Sequence, residues 1–205
     1  MPRFRQAERD EALSETRQRL LRAAAQEFAR EGYSVANINR ISEAAGFSKG
    51  TVYNYFASKR ELMLALIDQI GAEHIAFVEA QVKLEKDPER RLQRFFTAGF
   101  AYVADHPAQA QVMMTTLYGS DMEFQEHLFH LYQPMFQLVG AEILALGIQL
   151  GTFRPVDPAN TASLLMTIYL GSSSRVDENG KPYLDPDQVA DFTLHALRTR
   201  ANGTD

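Results

Sequence analysis

The sequence predicts an all-α fold, with an N-terminal three-helix helix-turn-helix head followed by a C-terminal helical bundle. Three observations carry this. Apolar residues recur at helical spacing along most of the 205 residues, and no stretch alternates long enough to make a strand. Asp87-Pro88, Asp157-Pro158 and Asp185-Pro186 each read as an N-cap followed by the first helical residue. Between Asn37 and Leu62, two short helices, a glycine turn and the start of a third helix follow one another without a linker.

Residues 1–8 read as a loose arm, in which Arg3 and Arg5 suit a minor groove if the segment is more than a frayed end. A helix then runs to about Arg30, with Leu13, Leu20, Leu21, Ala24 and Phe28 inward. Gly32 ends it and Tyr33 turns the corner. Thr16 and Arg17 are candidate phosphate contacts or plain surface. Asn37 caps the next helix, whose buried stripe is Ile38, Ile41 and Ala45, and Gly46 supplies the left-handed residue that stops it.

Phe47 plugs the turn and Ser48 caps a second helix, expected from about Lys49 to Tyr55. Val52 and Phe56 fall on its buried side. At about 100° per residue, Gly50 and Asn54 point outward, flanked by Thr51 and Tyr53. A glycine exposed within a helix costs about 1 kcal/mol against alanine, which close approach of another backbone would offset. Lys49, Thr51, Tyr53, Asn54 and Tyr55 carry a cation, an amide and hydroxyls but no carboxylate. That chemistry suits a helix laid in a DNA major groove, where amides read base edges and amines hold phosphates. Ser58 and Glu61 form a capping box, with Lys59 in the first turn where a phosphate is attracted.

The fourth helix is expected to run to about Leu84. Further helices are expected at about 88–105, 107–118, 121–150, 158–173 and 186–200, with Pro134 kinking or splitting the long one. Between the last two, SSSRVDENGKPYLD is polar with an Asn-Gly turn.

Composition excludes several classes of protein. No cysteine is present, so disulfides, thiolate zinc sites and cysteine nucleophiles are out, and a reducing, cytoplasmic setting is expected. No signal peptide or membrane-length apolar run is visible. The net charge of −5 is unevenly spread: residues 1–62 hold 11 Lys and Arg against 8 Asp and Glu, the remainder 10 against 18. A basic head on an acidic body turns the head toward phosphate.

His127 and His130, with Glu123 and Glu126 near, offer ligand spacing on one helix face, but such single-helix clusters are ordinarily solvated. No HExxH, P-loop or Glu-x-x-His pair occurs, and GFSKG at 46–50 lies in a turn between helices, not in the strand-to-helix elbow that a GxSxG nucleophile needs, so no catalytic residue, metal or cofactor is assigned. The body is rich in Phe96, Phe100, Tyr102, Met113, Met114, Leu117, Tyr118, Phe129, Tyr132, Met135, Phe136, Met166 and Tyr169. Most of these belong to the core. As a mixture of Met and Tyr they also suit a pocket for an apolar or amphipathic effector, with candidate lining residues Phe100, Met113, Met114, Leu117, Tyr118, Phe129, Tyr132, Phe136, Met166 and Tyr169.

From Arg19 to Leu62 the segments AAAQEFAREGY, INRISEAAGFSKGTVYNYF and SKREL resemble the DNA-binding domain of the tetracycline-repressor (TetR) family. The resemblance covers about the first third of the chain. Ala36 departs from it, since the family often has Thr there, leaving Asn37 alone to hold phosphate at that point. The resemblance implies a DNA-binding domain over residues 1–58, with Asn37, Ser48, Lys49, Gly50, Thr51, Tyr53, Asn54, Tyr55 and Lys59 facing DNA. It also implies a ligand-binding and dimerisation domain over 59–205, and repressor action.

The last two helices would then pair with their copies through small and apolar residues, among them Ala162, Leu165, Leu170, Val189, Phe192, Ala196 and Leu197. Such a homodimer sets two reading elements roughly 34–36 Å apart and demands a palindromic operator. The alternative from another class is a helical small-molecule carrier or adaptor that keeps the head as scaffold.

Overall fold

The computed structural model describes the backbone of residues 2–174, 177 and 182–199, and side chains from residue 11 onward within those ranges. Among these residues there is no strand, and an isolated bridge joins Phe153 to Arg198. The elements are α1 (Pro2–Val35), α2 (Ile38–Ala44), a 3-10 turn (Thr51–Asn54), α3 (Lys59–Lys83), α4 (Pro88–Asp105), α5 (Pro107–Leu117) and α6 (Met122–Leu131). Then come α7 (Gln133–Gln137), a π-helical stretch (Leu138–Ala145), α8 (Leu146–Gln149), α9 (Pro158–Ser173) and α10 (Pro186–Leu197). The all-α reading therefore stands. No single described helix is long and apolar enough to cross a membrane.

Each Asp-Pro pair starts a helix as expected. The carboxylates of Asp87, Asp157 and Asp185 accept from the backbone N–H of Arg90, Asn160 and Asp187, and each following Pro opens the first turn. Pro134 splits the long helix between α6 and α7, because it brings no N–H to continue the ladder.

Two compact units emerge. One holds the residues up to Ile70 together with Gln111–His127; the other holds Gly71–Ala110 and the residues from Leu128 on. In the first, α1 is broken at Gly32 (φ 76, ψ 160), where the expected helix end falls. Leu20, Leu21, Ala24 and Phe28 are buried, but Leu13 is 46% exposed and not inward as expected. It lies before the part of α1 that the buried residues cover. The expected loose arm is helical from Pro2, and the side chains of Arg3 and Arg5 lie outside the described residues.

The second unit has its core in Phe95, Phe96, Phe100, Met135, Val139, Ile143, Phe153, Leu165, Met166, Tyr169 and Leu194. Gly99 lets α4 and Tyr169 of α9 meet, since a Cβ there would lie 2.4 Å from the Tyr169 ring. Much of the expected polar loop before Asp185 lies outside the described residues.

The phase of α9 and α10 corrects part of the expected dimer face. Ala162, Leu165, Val189 and Leu197 are buried within their own chain, and Leu170 is half-buried. One helix face cannot serve two partners. What remains outward is Phe192 (70% exposed), Ala196, and Leu164 (64% exposed), which the sequence reading missed.

Candidate functional site

The reading surface is held from beneath by buried polar groups. Glu27, only 6% exposed, accepts the backbone N–H of Asn37 at 3.2 Å and pairs with Arg30, with Arg40 at 3.8 Å. Burying a carboxylate is costly unless it is paired, and here each oxygen has a partner. Asn37 caps α2 as expected, accepting from Asn39 N at 2.9 Å. Ala36 is buried, which accounts for an apolar residue at that position.

At the turn, Arg19 donates to the Ala45 carbonyl at 2.7 Å while its guanidinium lies 4.6 Å from the centre of the Phe47 ring. Gly46 is left-handed (φ 80), and an added Cβ would lie 2.7 Å from that guanidinium. Ser42, fully buried, accepts from the Val52 backbone N–H at 3.2 Å and so joins α2 to the reading element.

That element is shorter than expected. Thr51–Asn54 is a 3-10 turn, and Gly50 does not sit within a helix but precedes the turn with φ 80. A left-handed residue interrupts the i to i−4 ladder, so a helix cannot begin before Thr51. The glycine is therefore required by backbone conformation; nothing lies within 4 Å of the place its Cβ would take.

The expected outward set holds in part. Ser48, Lys49, Tyr53 (55% exposed) and Asn54 are exposed, while Gly50, Thr51, Tyr55 and Lys59 are half-buried and Val52 and Phe56 lie beneath. Ser48 and Thr51 share a hydroxyl contact at 3.0 Å. Lys49 lies 3.5 Å from Glu43, an exposed pair that DNA phosphate can replace at small cost.

Lys59 sits in the first turn of α3, donating to the Ser34 carbonyl at 3.0 Å with its amine 5.2 Å from the centre of the Tyr33 ring. Burial pulls its pKa down, against the opposing pull of Glu27. The capping box forms with one change: Ser58 accepts from Glu61 N at 3.1 Å, but the Glu61 carboxylate reaches Ala57 N at 2.7 Å. Arg17, a candidate phosphate contact, has its guanidinium 5.2 Å from the Phe56 ring centre.

For the effector, the second unit brings together Phe100, Tyr132, Phe136, Met166 and Tyr169. Phe129 is 52% exposed, so it does not line that interior; Met113, Met114 and Leu117 are buried or half-buried in the first unit, where Tyr118 is 71% exposed. The phase of α6 buries Phe124 and Leu128 and turns Phe129 out.

The residue that organises this interior is one the sequence reading passed over. His74 is 6% exposed, its Nδ1 2.7 Å from the Tyr132 hydroxyl and its Nε2 2.9 Å from the Tyr169 hydroxyl. A neutral imidazole has one donor and one acceptor nitrogen, so one phenol donates to it and the other accepts. Burial, with His106 adding to it, pushes the His74 pKa down to about 4. Burial also pushes both phenols up. The available signal was its spacing, four residues after Ile70 and four before Val78 on one stripe.

His127 lies 2.6 Å from Asp68, His130 is exposed, and no group of three or more potential metal-ligating side chains gathers among the described residues. A surface cleft of about 480 Å³ beside α4 and α10 is lined by Glu85, Arg90, Gln93, Arg94, Thr97 and Asp187, a polar set unlike the expected effector site.

A short helix, a glycine turn, an outward polar turn and a capped third helix define a helix-turn-helix DNA-binding regulator. The chain carries a TetR-type DNA-binding segment: residues 20–66 match the profile of bacterial regulatory proteins, tetR family. It is 28% identical over 201 residues to the HTH-type transcriptional regulator EthR of Mycolicibacterium smegmatis, covering 96% of this chain and 88% of that protein.

It is also 28% identical over 151 residues to the HTH-type transcriptional repressor NicS of Pseudomonas putida. That match covers 72% of this chain and spans 64% of the relative's length. The fold is shared with the crystal structure of the transcriptional regulator FadR from Bacillus subtilis in complex with stearoyl-CoA. There the TM-score is 0.76 at 20% identity, over 90% of this chain and 98% of that one.

Proposed function

We propose that this protein is a cytoplasmic repressor, without catalytic activity of its own, that binds a palindromic operator as a homodimer and is released by a small apolar or amphipathic effector. Residues 1–58 serve DNA binding and 59–205 serve effector binding and dimerisation. The single observation that carries the reading is the outward turn, with Ser48, Lys49, Tyr53 and Asn54 exposed over a locked Ser42–Val52 base. Asn54 and Tyr53 are suited to base edges, and Ser48, Lys49, Thr51, Tyr55 and Lys59 to phosphates.

The homodimer would form through the outward face of α9 and α10, where Leu164, Phe192 and Ala196 are left uncovered by their own chain. An apolar interior around Phe100, Phe136 and Met166, with phenol groups among them, fits an apolar or amphipathic effector. FadR of Bacillus subtilis was solved with stearoyl-CoA, itself amphipathic. An effector can act only through unequal affinity for two states, typically worth 1–3 kcal/mol.

The test is a mobility shift against DNA upstream of the protein's own gene, over a range of salt. A specific complex that weakens steeply with salt and disappears in Tyr55→Ala or Lys59→Ala supports the reading. Ligand binding with no DNA preference above non-specific levels would favour the carrier or adaptor instead.

A further inference from the structure

Three phenols surround His74, and they are not equivalent. Tyr132 and Tyr169 occupy its two nitrogens. Tyr102, on α4, stacks its ring on the imidazoles of His74 and His106, with centres 4.7 and 4.2 Å apart. Its hydroxyl is buried and has no hydrogen-bond partner among the described residues. The obvious acceptor is closed to it, because both His74 nitrogens are taken. An unsatisfied buried hydroxyl costs roughly 1–3 kcal/mol, which a ligand supplying the acceptor would recover.

The surroundings narrow the ligand. Burial and the carboxylate of Glu73 hold the phenol in its protonated form, with its pKa pushed up to about 12, so it acts as a donor. The ring cluster of Phe77, His74, His106, Tyr132 and Tyr169 holds no lysine or arginine, and His74 stays neutral. An anionic head group would find a negative neighbour there in Glu73. A neutral acceptor suffers neither penalty. Phe77 packs against Tyr102 with ring centres 5.8 Å apart and is itself 38% exposed, so the side chain over the phenol faces solvent.

We propose that the Tyr102 hydroxyl is the polar anchor of the effector site, donating to the neutral carbonyl oxygen of an ester, thioester, ketone or amide on an otherwise apolar molecule. This rests on the reading of the second unit as effector-binding. Tyr102 orients the ligand, and the half-exposed ring of Phe77 beside it receives the apolar part. Tyr132, His74 and Tyr169 hold the phenol ring in place through the stacked imidazole.

The experiment titrates the full-length protein with methyl octanoate, decane and octanoate, following displacement of a hydrophobic fluorescent dye. Wild type should bind the ester roughly tenfold more tightly than the alkane, as one hydrogen bond to a buried donor allows, with octanoate weakest. Tyr102→Phe should erase the difference between ester and alkane and leave alkane binding unchanged. Its urea midpoint should be equal to or above wild type, because the hydroxyl removed had no partner.

Equal binding of ester and alkane by wild type, an ester preference that survives in Tyr102→Phe, or tightest binding of octanoate would each overturn the proposal. So would binding of none of the three. Operator binding is measured on the same preparation. A retained operator complex with no ester preference sinks the anchor alone, and loss of the operator complex sinks the repressor reading independently.

Discussion

The hydroxyl of Ser42 accepts the backbone N–H of Val52 at 3.2 Å, in a place where neither residue is reached by solvent. This bond fixes the reading turn to α2, so that the outward groups of Lys49, Tyr53 and Asn54 are presented by a rigid base. Ser42→Ala leaves the Val52 N–H buried and unpaired, and should cost about 1–3 kcal/mol in urea denaturation. Operator affinity should fall as well, although Ser42 cannot touch DNA.

Asn54 and Lys49 should fail in different ways. Asn54→Ala is expected to lower specific binding by about 1–3 kcal/mol and to relax preference at one base pair, read from a panel of operator variants. Lys49→Ala should weaken all sequences alike and lower the salt slope by about 1.

Gly50→Ala tests the backbone alone. With φ 80 and open space where the Cβ would go, the substitution meets no neighbour and costs only the strain of a left-handed alanine. Stability should drop by about 1–2 kcal/mol. Had Gly50 lain inside a helix, as its sequence context suggested, the same change would stabilise the protein, so the sign of the shift in thermal midpoint separates the two.

His74 makes stability depend on pH. Its folded pKa of about 4 lies below the ordinary imidazole value of 6.5, so between those values the unfolded chain binds a proton that the native state refuses. Its contribution is complete above pH 6.5 and is lost as pH falls toward 4. Urea titrations should show a slope of up to about 1.4 kcal/mol per pH unit in that window, and His74→Gln should flatten it.

The uncovered face of α9 and α10 gives a direct test of assembly. Leu164→Glu with Phe192→Glu should convert a dimer to a folded monomer in light scattering, with helical content kept, since both side chains are exposed in the single chain. A dimer that survives both changes would place the two-fold elsewhere.

The helices that proline and aspartate punctuate were legible because their signals are local: a cap, a ring without an N–H, an apolar period. The exact face of α9 was not. Ala162 and Leu164 lie two residues apart and point to different sides, and composition does not say which side the chain itself will cover. Gly50 misled for a related reason, as its residue type permits either sign of φ.

The outward course of Phe129 turned on the phase of α6, which depends on what Phe124 and Leu128 meet. His74 joins Tyr132 and Tyr169 across 58 and 95 residues, a separation at which no motif operates. The exposed polar set proposed to face DNA was easier to assemble because it is confined to one run from Asn37 to Lys59.

α3 starts beneath the reading turn with Lys59 and ends at Lys83, passing from the first compact unit into the second at Ile70 and Gly71 without interruption. No hinge of coil marks the frontier. A protease seeking an easy cut in α3 finds hydrogen-bonded helical backbone there.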